Sequence, residues 1–165
     1  MRKILFLLCP TDFLESRINQ VYYESGNYFY TSLGNSFNVD FKTLKGIKES
    51  VIKHSINEIN FVLSSRNKIV LDALEGHFFS EISGLKKFYQ EIIIQKKHSE
   101  SWQQSNTEFL ILSYYLNNKI KELEGYLSDL PCLSTHIKGQ IYNENKNTFK
   151  PIYSGLICVE NYKLN

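Results

Sequence analysis

No apolar run in this chain of 165 residues comes near the roughly 18 residues that a membrane span needs, although 42% of its residues are hydrophobic. A membrane is therefore not an expected partner. Charge of one sign is lacking as well. The 19 Lys and Arg against 17 Asp and Glu leave a net charge of +2, and no basic run of five or more appears. Nothing in that balance favours nucleic acid. Cysteine is scarce: Cys9, Cys132 and Cys158 are too few and too widely spaced for a disulfide framework. The opening MRKILFLLC has the outline of a leader, basic, then apolar, then a cysteine. Its apolar part, Ile4 to Leu8, is shorter than the roughly 7–15 residues a signal peptide uses. A buried first strand accounts for it better, and the expected location is cytoplasmic, with free thiols. Internal repeats and low-complexity tracts are also absent.

What the chain has in quantity is aromatic side chains, 11 Tyr and 11 Phe. They fit an aromatic core with a sticky subunit interface better than a stacking platform for bases. The length fits a single domain, residues 1–165, large enough to bury its own core.

The apolar run Lys3 to Leu8, closed by the breaker Pro10, predicts a first strand. Tyr28 to Ser32 predicts a second and Glu58 to Leu63 a third. Phe41 to His54 carries Phe41, Leu44, Ile47, Val51 and Ile52 at helical spacing, and another helix starts at Asn67. Phe78 to Lys96 and Thr107 to Glu124 predict two more helices, separated by a polar break with the sole tryptophan, Trp102. After Pro131, His136 to Tyr142 and Phe149 to Val159 predict an antiparallel pair around the turn-rich Asn143 to Asn147. Strands alternating with helices give an α/β fold. The expectation is a mostly parallel sheet of about four strands, helices on both faces, and an antiparallel C-terminal strand.

Four local patterns, in this order, resemble the β-class carbonic anhydrases. KILFLLCPTD is similar to their first strand, which ends in a zinc-binding cysteine closely followed by an aspartate, here Cys9 and Asp12. SGNYFYTSLGNSF resembles the segment that enters and leaves their second strand, with Gly26, Gly34 and Asn35 matching. INEINFVLSSRNKIVLDALEG resembles the third strand, the zinc-binding turn and the next helix. The segment from Tyr114 to Phe149 resembles the C-terminal helix, loop and hairpin, with Gly139, Ile141 and Tyr142 matching.

The resemblance implies a zinc site of two cysteines and a histidine that makes hydroxide from water near neutral pH. It also implies a tight dimer joined along sheet edges and N-terminal helices. Here the first ligand is matched by Cys9, but the histidine position falls on Ser65 and the second cysteine on Lys68. A neutral hydroxyl is a poor substitute, and a protonated amine has no lone pair to give. His54, His77, His98 and His136 all lie outside these turns. No cofactor is expected, and zinc is expected to be absent. Cys9 reads as a strand-end core thiol or, alternatively, as a reactive one. The family's Asp–Arg pair would be Asp12 with Arg17, reached only by shifting the alignment. Asp12 could instead cap a short helix beginning at Phe13. Lys68 in the metal's place could pair with Asp12.

The turn itself, Ser64, Ser65, Arg66 and Lys68, with Gly34 and Asn35 at the same sheet edge, is a candidate small-anion site. Three functions follow. One is a zinc-free binding or structural relative of the β-class enzymes, a homodimer or higher homo-oligomer. Another is an enzyme of altered chemistry, a lyase or hydrolase using Cys9 or a rebuilt metal site. The third is a small-anion binder whose likeness is only one of fold.

Overall fold

The computed structural model describes residues 1–37, 41–99, 107–128 and 135–156. Five strands form one sheet: β1 (Lys3–Leu8), β2 (Gly26–Thr31), β3 (Glu58–Ser64), β4 (His136–Asn143) and β5 (Thr148–Pro151). Their spatial order is β2-β1-β3-β4-β5; the first four run parallel and β5 is antiparallel to β4. The α/β expectation of four parallel strands with an antiparallel C-terminal one is met. Among the described residues five α-helices connect them: α1 (Glu15–Val21), α2 (Phe41–His54), α3 (Lys68–Glu75), α4 (Lys86–Ser99) and α5 (Thr107–Leu127).

Successive side chains of a strand point to opposite faces, so the continuous apolar run of β1 feeds two cores. Leu5, Leu7 and the following Cys9 enter the larger, with Ile59, Phe61 and Leu63 of β3 and the apolar faces of α2 to α5. Ile4, Phe6 and Leu8 enter the smaller, with Val62, Leu14 and Ile18. Helices cover both faces, but unequally: among the described residues only α1 packs on the second. Its remaining apolar cover is aromatic, Tyr22, Phe29, Tyr142 and Phe149. The polar side chains on that face hold one another. Tyr22 Oη and Asn60 Nδ2 each donate to Gln140 Oε1 at 2.8 Å, and the buried Glu58 pairs with Lys138 at 2.9 Å and with Arg2.

Element ends differ from the sequence reading for identifiable reasons. β2 starts at Gly26, two residues early, because Gly26 N–H already donates to Arg2 O. β5 stops at Pro151, which lacks a ladder donor, and the predicted continuation to Val159 passes beyond the described residues. The helix expected from Phe78 begins only at Lys86. Asp72 draws the N–H groups of Phe78 and Phe79 onto its carboxylate, each at 3.0 Å, and Gly84 takes φ 91°. The apolar residues at the start of that segment are therefore partly exposed, with Phe78 at 84%. Trp102, Cys132 and Cys158 lie outside the described residues.

Gly139 of β4 permits a close approach. A Cβ there would lie 2.6 Å from Ile152 Cδ1 and 3.4 Å from Ile120 Cδ1, so α5 and the chain after β5 both close over a missing side chain. Gly139→Ala is expected to cost about 1–3 kcal/mol by overpacking. The loss should shrink when combined with Ile152→Val, as chemical denaturation of the single and double variants would measure. Equal losses in both backgrounds would contradict this packing.

Candidate functional site

The strand ends at the carboxyl edge of the sheet set the problem that this site solves. β1 pairs with β3 only as far as Leu8 and Val62, whereas β3 continues beside β4 to Ser64. Backbone groups left where β1 and β3 part still need partners. Asn35 binds two carbonyls at that point. Its amide is fully buried and donates to Leu7 O at 2.9 Å and Val62 O at 3.0 Å. Asp12 supplies a further partner, its Oδ2 accepting from Ser64 N–H at 2.8 Å while its Oδ1 accepts from Asn67 Nδ2 at 2.7 Å. The two residues that matched a family pattern here thus serve first as backbone partners.

Gly34 and Asn35 sit in consecutive left-handed conformations, φ 59° and 57°, which glycine and asparagine tolerate best. The bend aims Gly34 N–H at Cys9 Sγ, 3.2 Å away, and Gly34 O accepts from Tyr115 Oη at 3.1 Å. A Cβ on Gly34 would meet the Phe88 ring at 3.0 Å. Cys9 is 1% exposed, bonds Thr11 Oγ1 at 3.0 Å and lies in the larger core. It is a strand-end core thiol.

Asp12 does not cap a helix. It ends the short turn Pro10–Asp12, and α1 begins at Glu15 with no side-chain cap. Arg17 does not reach it either, since Arg17 Nη1 donates to Gln20 Oε1 at 2.9 Å. Nor does Lys68, which is exposed at the start of α3; the expected Lys68–Asp12 pair is replaced by the bonds from Ser64 and Asn67. Burial pushes the Asp12 carboxyl up to about 6, with the nearby Glu144 and Glu15 charges adding to it and the two hydrogen bonds opposing it.

The turn that was a candidate anion nest has few free donors left. Ser65 N–H bonds Tyr142 O at 2.8 Å, Arg66 N–H bonds Ser64 Oγ at 3.1 Å, and Asn67 N–H bonds Ser64 O at 3.1 Å. Asn67 Oδ1 caps α3 by accepting from Val70 N–H at 3.0 Å. Ser64 Oγ donates to Glu144 Oε1 at 2.7 Å. The negative charge at this turn comes from the protein's own Asp12 and Glu144. Ser65 and Arg66 line a groove of about 730 Å³, which Ser64, Lys68, Gly34 and Asn35 do not.

This donor set does not fit a zinc ion. Zinc sites of this kind need thiolates and imidazoles at one point. Cys9 is sealed in the core, Ser65 offers a hydroxyl and Lys68 an exposed ammonium. His54 lies 4.4 Å from the Tyr28 ring, His77 lies 6.0 Å from the Tyr89 ring, and His136 opens β4 at the opposite edge. Among the described residues no three His, Cys, Asp or Glu side chains are grouped to hold a metal.

Sequence reasoning missed Asn67 and Glu144 as members of this cluster. Asn67 was findable, since an Asn immediately before a periodic apolar run is an N-cap signal. Glu144 was not, because only the β4–β5 hairpin brings it to Ser64, 80 positions away in the chain.

Because native Asp12 binds its proton more tightly than the unfolded chain, ordinary value 3.8 against about 6, ionising it costs stability. Wild-type stability measured against Asp12→Asn is therefore expected to be highest below about pH 4. It should fall as pH rises through about 6, by at most about 3 kcal/mol. Urea melts of both proteins across that range test it, and a pH-independent difference would refute it.

No protein-family model and no curated protein matches this sequence. Solved structures do match. The β-carbonic anhydrase CafD of Aspergillus fumigatus superposes with a TM-score of 0.67 at 13% identity, over 93% of this chain and 90% of that one. One of the two tetrameric β-carbonic anhydrases of Sordaria macrospora gives 0.65 at 13%, over 94% and 83%. The Coccomyxa β-carbonic anhydrase bound to acetazolamide gives 0.64 at 11%, over 97% and 76%. At such identities the likeness is one of fold, and on that level the resemblance drawn from the four sequence patterns holds. This chain has the β-carbonic anhydrase fold.

Proposed function

We propose that this protein is a zinc-free member of the carbonic anhydrase fold that does not hydrate CO2 and acts as a binding or structural homo-oligomer. The observation that carries this reading is the commitment of the carboxyl-edge residues to the fold itself. Cys9 accepts the Gly34 amide inside the core, and Asp12 is held by Ser64 and Asn67. Ser65 and Lys68, the positions matching the other two ligands, supply neither imidazole nor thiolate. An activity based on Cys9 is disfavoured by its 1% exposure, because reactive thiols are accessible and sit in electropositive surroundings.

Self-association is supported by the oligomeric β-carbonic anhydrases of Sordaria macrospora, described as tetrameric. On this chain the exposed Phe13, Val21 and Tyr23 beside α1, at 80%, 46% and 76%, are apolar surface suited to burial between copies. A cytoplasmic location belongs to the same reading. No helix among the described residues is long and apolar enough to cross a membrane.

Protein purified from zinc-supplemented cells is expected to hold only substoichiometric zinc and to leave CO2 hydration at the rate of buffer. Elemental analysis near one zinc per chain, with hydration abolished by Cys9→Ser, would overturn the reading. Sedimentation at micromolar concentration should give a dimer or larger species, and a 19.3 kDa monomer would remove the oligomeric part.

A further inference from the structure

We propose that the groove between the β3–α3 turn, the β4–β5 hairpin and the start of α5 binds a small organic phosphate through Arg66, Lys146 and Lys150. This deepens the binding role proposed above by naming a ligand class. It also moves the anion away from the turn backbone, whose N–H groups are already bonded.

Three cations, Arg66 from the β3–α3 turn and Lys146 and Lys150 from the β4–β5 hairpin, converge on this one concavity, and among the described residues the only carboxylate lining it is Glu108. Among the described residues none of the three forms an ion pair, in contrast to Arg2, Lys87, Lys119 and Lys138 elsewhere in the fold. Asp12 and Glu144, which meet at Ser64 in the same turn, are bonded to Ser64 and Asn67 and do not line the groove. Among the described residues its lining therefore carries a net formal charge of +2, three cations less Glu108. Like charges gathered around one cleft repel, and a bound anion offsets that repulsion.

Lys150 is positioned before any ligand arrives. Its ammonium lies 4.4 Å from the centre of the Phe109 ring and 5.8 Å from that of Tyr153, contacts that hold a cation in place while leaving its donors available. Arg66 offers a planar fork that matches two phosphate oxygens at once, and the Ser65 hydroxyl lines the same wall. Size decides against a bare inorganic ion. A groove of about 730 Å³ falls in the range of small-molecule sites, roughly 300–1,000 Å³, and Phe109 and Ile141 give it an apolar part for an organic group.

The test is titration of the full-length protein with phenyl phosphate, inorganic phosphate and citrate at one fixed ionic strength, followed by amide chemical shifts. Phenyl phosphate is expected to saturate with a Kd of about 1 mM or below, to shift Ser65, Arg66, Lys146 and Lys150, and to bind more tightly than the other two. R66Q and K146Q, both at exposed positions, should each weaken it about tenfold or more, equivalent to about 1.4 kcal/mol, with unchanged thermal melts. K42Q, an exposed control on α2, should bind as wild type. Citrate binding as tightly as phenyl phosphate would overturn the phosphate assignment in favour of a polycarboxylate. No saturable shift, or equal binding by R66Q and K146Q, would overturn the site. Either failure leaves the zinc-free reading intact, because zinc content is measured independently of this titration.

Discussion

Buried strand ends must have their backbone groups satisfied, and in this protein that requirement organises the whole carboxyl edge of the sheet. β1 stops beside Val62 while β3 runs on to Ser64, and at that point Leu7 O, Val62 O and Ser64 N–H each take a side-chain partner. Asn35 and Asp12, both outside the sheet, supply those partners. Leaving such groups unpaired would cost on the order of 1–3 kcal/mol each, comparable to a sizeable part of a domain's net stability. The left-handed bend at Gly34 and Asn35, the bond from Gly34 N–H to Cys9 and the cap of α3 by Asn67 are all arranged around these few bonds.

That arrangement divides charge across the turn between β3 and α3. On the inner side two carboxylates, Asp12 and Glu144, converge on Ser64, and burial lifts the Asp12 carboxyl toward neutrality. On the outer side Arg66 faces Lys146 and Lys150 across a groove. A site built for zinc would gather thiolate and imidazole donors at the inner position. Here hard oxygen acceptors take the backbone and amide donors instead, and positive charge is displaced outward, where it meets solvent.

Much of the architecture was legible along the chain because it is encoded locally. The unbroken apolar run of Lys3 to Leu8 and the sealed Glu58 to Leu63 announced strands buried on both faces, and α2 was readable to the residue from its period. Where the reading slipped, a distant partner had intervened. Asp72 holds the chain after α3 in turns through the residues whose apolar spacing predicted helix. The candidate site was legible only as a set of positions. Cys9, Asp12, Gly34, Asn35 and Ser64 do come together at one edge, whereas Arg17 and Lys68 turn elsewhere.

The sequence by itself determined the alternation of strands and helices, the bend at Gly34-Asn35 and the identities of Ser65 and Lys68, because propensity, periodicity and donor chemistry belong to individual residues. Only the tertiary structure decided that Asp12 serves Ser64 and Asn67 rather than a helix end, that Glu144 closes the cluster, and that Arg66 shares a groove with Lys146 and Lys150. Those outcomes depend on which strand ends before its neighbour and on which hairpin folds back over the turn. They are pairings between residues 50 to 80 positions apart, and no local pattern carries them.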